Sequence, residues 1–244
     1  MACSGPARVP TILVRSICIK SMCGRFDRHR PVADFAGVVD GLVAGGSESL
    51  APSYNIAPSQ PAVVVCASDI GPRAQVLQWG LAPAWAKKSN IPRPINARAE
   101  TLSQKPMFRE AFRSGRCLVL CDGYYEWQVL SDGTKQPFHL SLVDGSPFVL
   151  AGLWAYNTLL SEKPLASFCV ITTAANETCR AIHPRMPVIL DGDHHRQWLE
   201  TSPLTLDTAG AMLRACEKPM CLTPVSRFVN NPANNGPQCA TPVA

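Results

Sequence analysis

The apolar positions of this chain come in short runs cut by turn residues, with few long amphipathic stretches. Val32 to Val43 sets Phe35, Val38, Val39 and Leu42 on one face at helical spacing, and Gly45-Gly46 stops it, so a helix is expected there. Strand-sized runs then dominate: Ala62 to Cys66, Gln75 to Trp79, Cys117 to Leu120, Tyr124 to Gln128, Phe138 to Val143, Phe148 to Trp154, Ser167 to Thr172 and Val188 to Leu190. Turn chemistry at Ser131-Asp132-Gly133 and Asp144-Gly145 predicts an antiparallel meander through the middle of the chain. Helical spacing returns in Met107 to Ser114, where Phe108 and Phe112 lie one turn apart, and in His194 to Glu200 and Leu206 to Cys216. The segment from Asn230 is rich in Asn, Pro and Gly and is expected to be loop, with a mobile tail over 237–244. No internal repeat or linker divides the chain. The pattern predicts a single α+β domain on a curved, barrel-like, mostly antiparallel sheet with peripheral helices.

Composition agrees with one sizeable core: of 244 residues, 46% are hydrophobic and only 17% charged. No apolar run reaches the roughly 20 residues of a membrane helix, so no membrane association is expected. The 11 cysteines are an odd number and contain no C-x-x-C pair, which argues against a zinc site and against a secreted disulfide framework. Reduced thiols in a cytoplasmic protein, with no metal or cofactor, are the expectation.

Residues 1–21 carry Arg8, Arg15 and Lys20 without an acid, and Pro6 and Pro10 interrupt them, so they do not resemble a secretory signal. Met22 reads as the physiological start, with 1–21 a mis-assigned or removed leader. Without that leader the net charge falls from +5 to +2, which weakens any argument from overall charge. Charge distribution says more: from Lys87 to Arg116 eight basic residues face two acids. Such a run suits a nucleic-acid surface and equally suits a solvated helix face.

The chemistry concentrates in a few segments. If Met22 is removed, Cys23 of Met22-Cys23-Gly24-Arg25-Phe26 becomes a 1,2-aminothiol. Its α-amine, with an ordinary pKa of about 7.7 to 8.0, is nucleophilic near neutral pH. Its thiol can close a thiazolidine ring on an imine formed with an aldehyde. The commoner fate of a lone cysteine is to be one more buried thiol. Asn96-Ala97-Arg98-Ala99-Glu100-Thr101 collects an amide, a guanidinium and a carboxylate behind Pro92 and Pro94. Asp122-Gly123-Tyr124-Tyr125-Glu126-Trp127 sets Glu126 among aromatics, where desolvation would raise its pKa toward neutrality unless it faces water. His183-Pro184-Arg185-Met186-Pro187 offers a proline-fixed imidazole, a residue type that is more often structural than catalytic.

Taken in order, these segments resemble a known family. The stretch Met22 to Phe26 is followed by Tyr54-Asn55-Ile56-Ala57-Pro58, Trp79-Gly80-Leu81-Ala82-Pro83 with Trp85, and Asn96-Ala97-Arg98-Ala99-Glu100. Then come Arg116-Cys117-Leu118 leading to Asp122 to Trp127, Ala151-Gly152-Leu153-Trp154, His183 to Pro187, and Val225-Ser226-Arg227. The series is similar to the SRAP family, named for SOS-response-associated peptidases, from Met22 to about Gly236. Only the leader departs from the family pattern, which exposes the cysteine directly after the initiator methionine.

The resemblance implies a sensor of abasic sites in single-stranded DNA that crosslinks itself to the lesion, exposes its cysteine by self-processing and works as a monomer in the cytoplasm, on the nucleoid when DNA is damaged. By motif, Cys23 would be the nucleophile, Asn96 and Glu126 would frame it, and His183 would act at the sugar. Arg25, Arg98 and Arg185 would hold phosphates; Trp79, Trp85 or Tyr124 would stack on bases; Thr172 or Thr173 would add a phosphate contact. Two other classes stay open. An N-terminal-nucleophile amidohydrolase also begins Met-Cys-Gly, although no Arg-Gly-x-Asp type segment follows the first helix. A plain DNA-binding module would need only the basic run.

Overall fold

Runs such as Val63-Val64-Val65 and Leu118-Val119-Leu120 are apolar at every position, so their strands must be covered on both faces. The computed structural model, which describes residues 23–46, 50–88 and 90–243, shows how. Strands β3 (Pro61–Cys66), β4 (Arg73–Trp79), β6 (Arg116–Cys121), β9 (Phe148–Asn157) and β10 (Leu165–Ala174) close into a barrel in the order β10-β4-β3-β6-β9, with β9 returning to β10. Every pairing in the ring is antiparallel except β4 with β10. Alternate residues serve two cores. Val63, Val65, Leu118, Leu120 and Ile171 pack with the helices, whereas Val64, Cys66, Val119, Phe168 and Val170 pack in the core shared with the second sheet.

That second sheet runs β12 (Met220–Pro224), β8 (Lys135–Leu142), β7 (Gly123–Val129), β1 (Phe26–Arg28), β2 (Ser53–Ile56), all antiparallel. Only Asp122 separates β6 from β7, so the chain steps from barrel to sheet within one residue. The expected meander is therefore a single β7–β8 hairpin; β6 and β9 pair with each other in the barrel instead.

Strand β10 outruns its barrel neighbours, and its last residues are flanked by two short strands. β5 (Asn96–Arg98) runs parallel to Val170–Thr172 on one edge, and β11 (Arg185–Pro187) runs antiparallel to Thr172–Ala174. Both segments are polar and enter through prolines, and this is the end of the barrel where Asn96, Arg98 and Arg185 gather.

Among the described residues there are four α-helices: α1 (Pro106–Ser114), α2 (Glu177–Arg180), α3 (Gly192–Leu199) and α4 (Leu206–Met212). α1 starts with proline at its first position and buries Phe108, Ala111 and Phe112. None of the described helices is long and apolar enough to cross a membrane.

Several boundaries differ from expectation for physical reasons. The helix expected over Val32 to Val43 is a 3-10 turn, Val32–Gly37, because Gly37, Gly41 and the β-branched valines make a weak helix. The expected Leu206 to Cys216 helix stops at Met212, and the Cys216 carbonyl accepts from Asn176 Nδ2 instead of continuing it. Val188 to Leu190 is extended, joined to β9 only through an isolated bridge at Ile189, while the paired strand is Arg185–Pro187. The tail expected to be mobile is held: Cys239 is fully buried, and the Val243 amide donates to the Pro224 carbonyl at 3.0 Å. The leader expected over residues 1–21 lies outside the described residues, as does Met22.

Candidate active site

Cys23 is 1% exposed, packed against the sheet face that carries Phe26 and Tyr124. Two bonds fix it, both to its backbone. Its nitrogen donates to Glu126 Oε1 at 2.7 Å, and its carbonyl accepts from Asn96 Nδ2 at 3.2 Å. Strand register places these partners: Phe26 lies opposite Tyr124, the Tyr125 amide donates to the Arg25 carbonyl, and Glu126 follows one residue on. Asn96 comes from β5, which pairs with β10. The backbone at Cys23 has φ +27°, in the left-handed region that a residue with a Cβ avoids.

Burial decides the electrostatics. It pushes the Cys23 thiol well above its ordinary value, and the neighbouring Glu126 carboxylate adds to that, so the sulfur is held as a thiol. It also raises Glu126 to about 8, against the opposing pull of the Cys23 and Trp127 backbone N–H groups. The expectation that Glu126 sits desolvated among aromatics is met, with a proton to exchange near neutral pH.

His183 stands at the turn before β11. Its Nδ1 lies 3.1 Å from both the amide nitrogen and the carbonyl oxygen of Arg185, so the Arg185 backbone holds the ring in either tautomer. Its Nε2 is buried with no hydrogen-bond partner among the described residues. Burial lowers the pKa of His183, so it is the neutral imidazole at physiological pH. Its loop is docked on the strand carrying Glu126: Gln128 Nε2 donates to the Ala181 carbonyl at 3.0 Å, and Tyr124 Oη sits 3.5 Å from Cys179 Sγ. Cys23, Tyr124, Cys179 and Met186 share one core cluster, and Cys179 and Met186 flank His183 in the sequence.

The expected DNA contacts divide. Arg98 is exposed on β5, opposite Thr172. Arg185 reaches the same end of the barrel but is engaged: Nη2 donates to the Thr172 carbonyl at 2.6 Å, and both terminal nitrogens meet the Glu100 carboxylate. Arg25 is a correction, since it is buried and its Nη1 donates to Asn55 Oδ1 at 2.7 Å and the Val229 carbonyl at 2.9 Å, tying β1 to the C-terminal segment. Trp79 is another: fully buried, it lies edge-on to Phe26 and donates Nε1 to the Ile95 carbonyl, so neither ring face is free. Tyr124 and Thr172 are likewise fully buried, and Thr173 is nearly so; Thr172 Oγ1 faces the Ala97 carbonyl and Arg185. Trp85 is 44% exposed but lines a separate cavity of about 150 Å³ with Met107, Trp154 and Tyr156. Tyr156 pairs with Ala166, near the start of β10, so Trp85 lies at the opposite end of that strand from Asn96.

Two arrangements were not foreseen. Glu100 pairs with Arg185 across 85 residues, and no local pattern announces such a pair. Asp27, His29 and Asp122 bring potential ligand atoms within 4.8 Å of one another. Their capacity is already spent on protein partners: Asp27 accepts from His29 at 2.7 Å and His139 at 2.9 Å, and Asp122 from Arg30 at 2.7 Å.

Comparison with known proteins gives a consistent result. Residues 22–232 match the family model described as SOS response associated peptidase (SRAP). The chain is 38% identical over 221 residues to the Abasic site processing protein YoqW of Bacillus subtilis, covering 89% of this chain and 98% of that one. It is 32% identical over 230 residues to the Abasic site processing protein HMCES of Xenopus tropicalis, covering 80% and 67% of the two chains. A crystal structure of a protein from Bacteroides thetaiotaomicron superposes with a TM-score of 0.80 at 25% identity, covering 91% of this chain and all of that one.

Proposed function

The chain belongs to the SOS response associated peptidase family, and we propose on that footing that it processes abasic sites in DNA, capturing the lesion in single strands as a covalent thiazolidine on Cys23. The observation that carries this reading is the 2.7 Å contact between the Cys23 nitrogen and the buried, proton-retaining Glu126. Once Met22 is removed, that nitrogen is an α-amine whose ordinary pKa of about 7.7 to 8.0 nearly matches Glu126, so a proton can pass between them at little cost.

An abasic deoxyribose in its open form carries an aldehyde at C1′. The Cys23 amine attacks that carbon, and a proton reaches the carbonyl oxygen to give a carbinolamine. Glu126, returning a proton to the hydroxyl, lets it leave as water, and an imine remains. The thiol then adds to the imine carbon: a C–S bond forms, the thiol proton passes to nitrogen, and the five-membered ring is complete. The balance is one aminothiol plus one aldehyde giving one thiazolidine plus water. Ring closure removes the imine that would acidify C2′ and permit β-elimination, so the strand stays whole. Neutral His183, whose buried Nε2 meets no partner among the described residues, suits taking the proton of the C1′ hydroxyl as the sugar ring opens, while the ring oxygen is protonated by Glu126 or solvent. Asn96 orients residue 23 through its carbonyl.

The same contact suits the release of Cys23. When the Met22–Cys23 peptide breaks, the leaving nitrogen needs a proton, and Glu126 lies 2.7 Å from it. The test uses single-stranded DNA with one abasic site, denaturing gels and mass analysis. Wild type is expected to yield a heat-stable adduct on a protein whose intact mass begins at Cys23. Cys23→Ser keeps the amine and is expected to form an imine trapped by borohydride while losing most stable adduct; Cys23→Ala adds strand cleavage. A heat-stable adduct of undiminished yield from Cys23→Ala overturns the reading.

A further inference from the structure

Glu100 occupies the hydrogen-bonding fork that a phosphate would take. Its two carboxylate oxygens meet Nη1 and Nη2 of Arg185, with the Oε2 contact at 3.0 Å, in the two-point geometry by which guanidinium groups bind phosphates. Arg185 does not depend on that pair for its position. Nη2 also donates to the Thr172 carbonyl at 2.6 Å and approaches Thr172 Oγ1 at 3.3 Å, and only 16% of the Arg185 side chain is exposed. Glu100 is different: 49% of its side chain is exposed, and it projects from the 3-10 turn Ala99–Thr101 that follows β5. Arg98, two residues earlier, is exposed at the same end of the barrel, and the Arg185 backbone holds the His183 ring. The carboxylate is thus the outer, displaceable partner of an anchored cation beside the candidate active site.

We infer that Glu100 is a competitor built into the site, a carboxylate that a strand's phosphate must displace from Arg185 before the lesion can be seated. This rests on the reading that the site meets single-stranded DNA and adds a determinant of how tightly it does so. Arg185 pulls the Glu100 carboxyl below its usual range, so the competitor stays ionised at physiological pH. Displacement exchanges one anion for another on Arg185 and frees a carboxylate that attracts cations of its own. The binding energy of each undamaged strand is therefore lowered, and strands that also engage Arg98 and the Cys23 site are favoured over those that touch the surface briefly.

The test measures noncovalent affinity for a labelled single strand without a lesion, by fluorescence anisotropy across a salt series, so that crosslinking plays no part. Glu100→Gln and Glu100→Ala are expected to bind more tightly by up to about fivefold, the upper end for an exposed ion pair, and to steepen the log-log salt slope by up to about 0.7. Glu110→Gln, in the same basic run, controls for general charge and is expected to change affinity less. In an Arg185→Ala background the gain from Glu100→Gln is expected to vanish. Weaker binding by both Glu100 variants would make Glu100 a support for Arg185 and overturn the inference, as would a gain that persists without Arg185. A wild-type protein with no salt-dependent binding to any single strand would instead refute the functional reading beneath it.

Discussion

Replacing Glu126 by Gln should impair the chemistry and stabilise the fold, and the two effects have one cause. Burial raises this carboxyl from 4.5 to about 8, so the folded chain holds a proton there that the unfolded chain has lost. Between those values the folded state binds more protons, and stability falls as pH rises. At 1.36 kcal/mol per pH unit, the cost is about 1 kcal/mol at pH 5 and about 4 at pH 8. Gln cannot ionise, yet its amide oxygen still accepts from the Cys23 nitrogen. Other titrating groups affect both proteins alike, so the wild-type minus variant difference isolates Glu126. That difference should grow by about 3 kcal/mol from pH 5 to pH 8, on the order of 10 °C in Tm for a chain of this size. In the processed protein the growth should be smaller, since an ammonium at Cys23 lies 2.7 Å from the carboxylate and favours its charge.

The rate of adduct formation is expected to move the other way. Loss of a positioned proton carrier costs about 10²- to 10⁴-fold. In wild type the rate should rise as the α-amine loses its proton and fall above about pH 8 as Glu126 does, and the falling limb should be absent from Glu126→Gln. Denaturant unfolding at pH 5 and pH 8, with adduct kinetics over the same range, is the assay. Parallel stability profiles for the two proteins would refute the argument, because they would mean that Glu126 is ionised in the folded state throughout.

Three further outcomes are expected. Asp27→Asn should destabilise the fold by about 3 kcal/mol at pH 6, as loss of one partner from a buried ion pair does. Burial pulls Asp27 up, but the hydrogen bonds from His139 and His29 outweigh it and hold the carboxyl below the ordinary carboxylate value, so its contribution is lost as pH falls through that lowered value. The bond from Asp27 holds His29 high, and that share of the stability is lost as pH rises through the raised value, so the variant's deficit should be largest between the two limits. Arg98→Ala should lower the salt slope of single-strand binding by about 0.7, whereas Arg25→Ala should leave the slope unchanged and lower Tm, since Arg25 holds Asn55 and Val229. Gly152→Ala should cost about 1 to 3 kcal/mol in denaturant unfolding, because the added Cβ would lie 2.8 Å from Cys117 Sγ and 3.1 Å from Val119 Cγ2.

Long apolar strands were legible because burial on two faces leaves a continuous signal. β3, β4, β6, β9 and β10 all appear where the runs of Val, Leu and Ile place them. The short strands β1, β2, β5 and β12 were not, since three to five residues containing Asp27, Asn55 or Arg98 carry too little periodicity to separate strand from loop. For the site, the motif order pointed to Cys23, Asn96 and Glu126, and the structure joins these three by direct hydrogen bonds. What motifs could not reveal is exposure. Arg25 and Trp79 stand beside chemistry in the sequence but spend their polar groups on the Asn55 side chain and on backbone carbonyls, and an inventory of cations and aromatics cannot tell a holder of the fold from a holder of DNA.

On the proposed chemistry, residue 23 needs to be cysteine for its reactivity and for little else, because its neighbours hold it by the backbone. Glu126 takes its nitrogen and Asn96 its carbonyl, and either bond would form with any side chain at that position. The frame therefore survives Cys23→Ala, which makes that variant a test of reactivity more than of folding. On the proposal that Met22 is removed, hydrolysis would turn an amide with one fixed N–H into an amine with a lone pair. The nitrogen stays against the carboxyl of Glu126. Cleavage would then convert a structural hydrogen bond into a proton-transfer path without moving either partner.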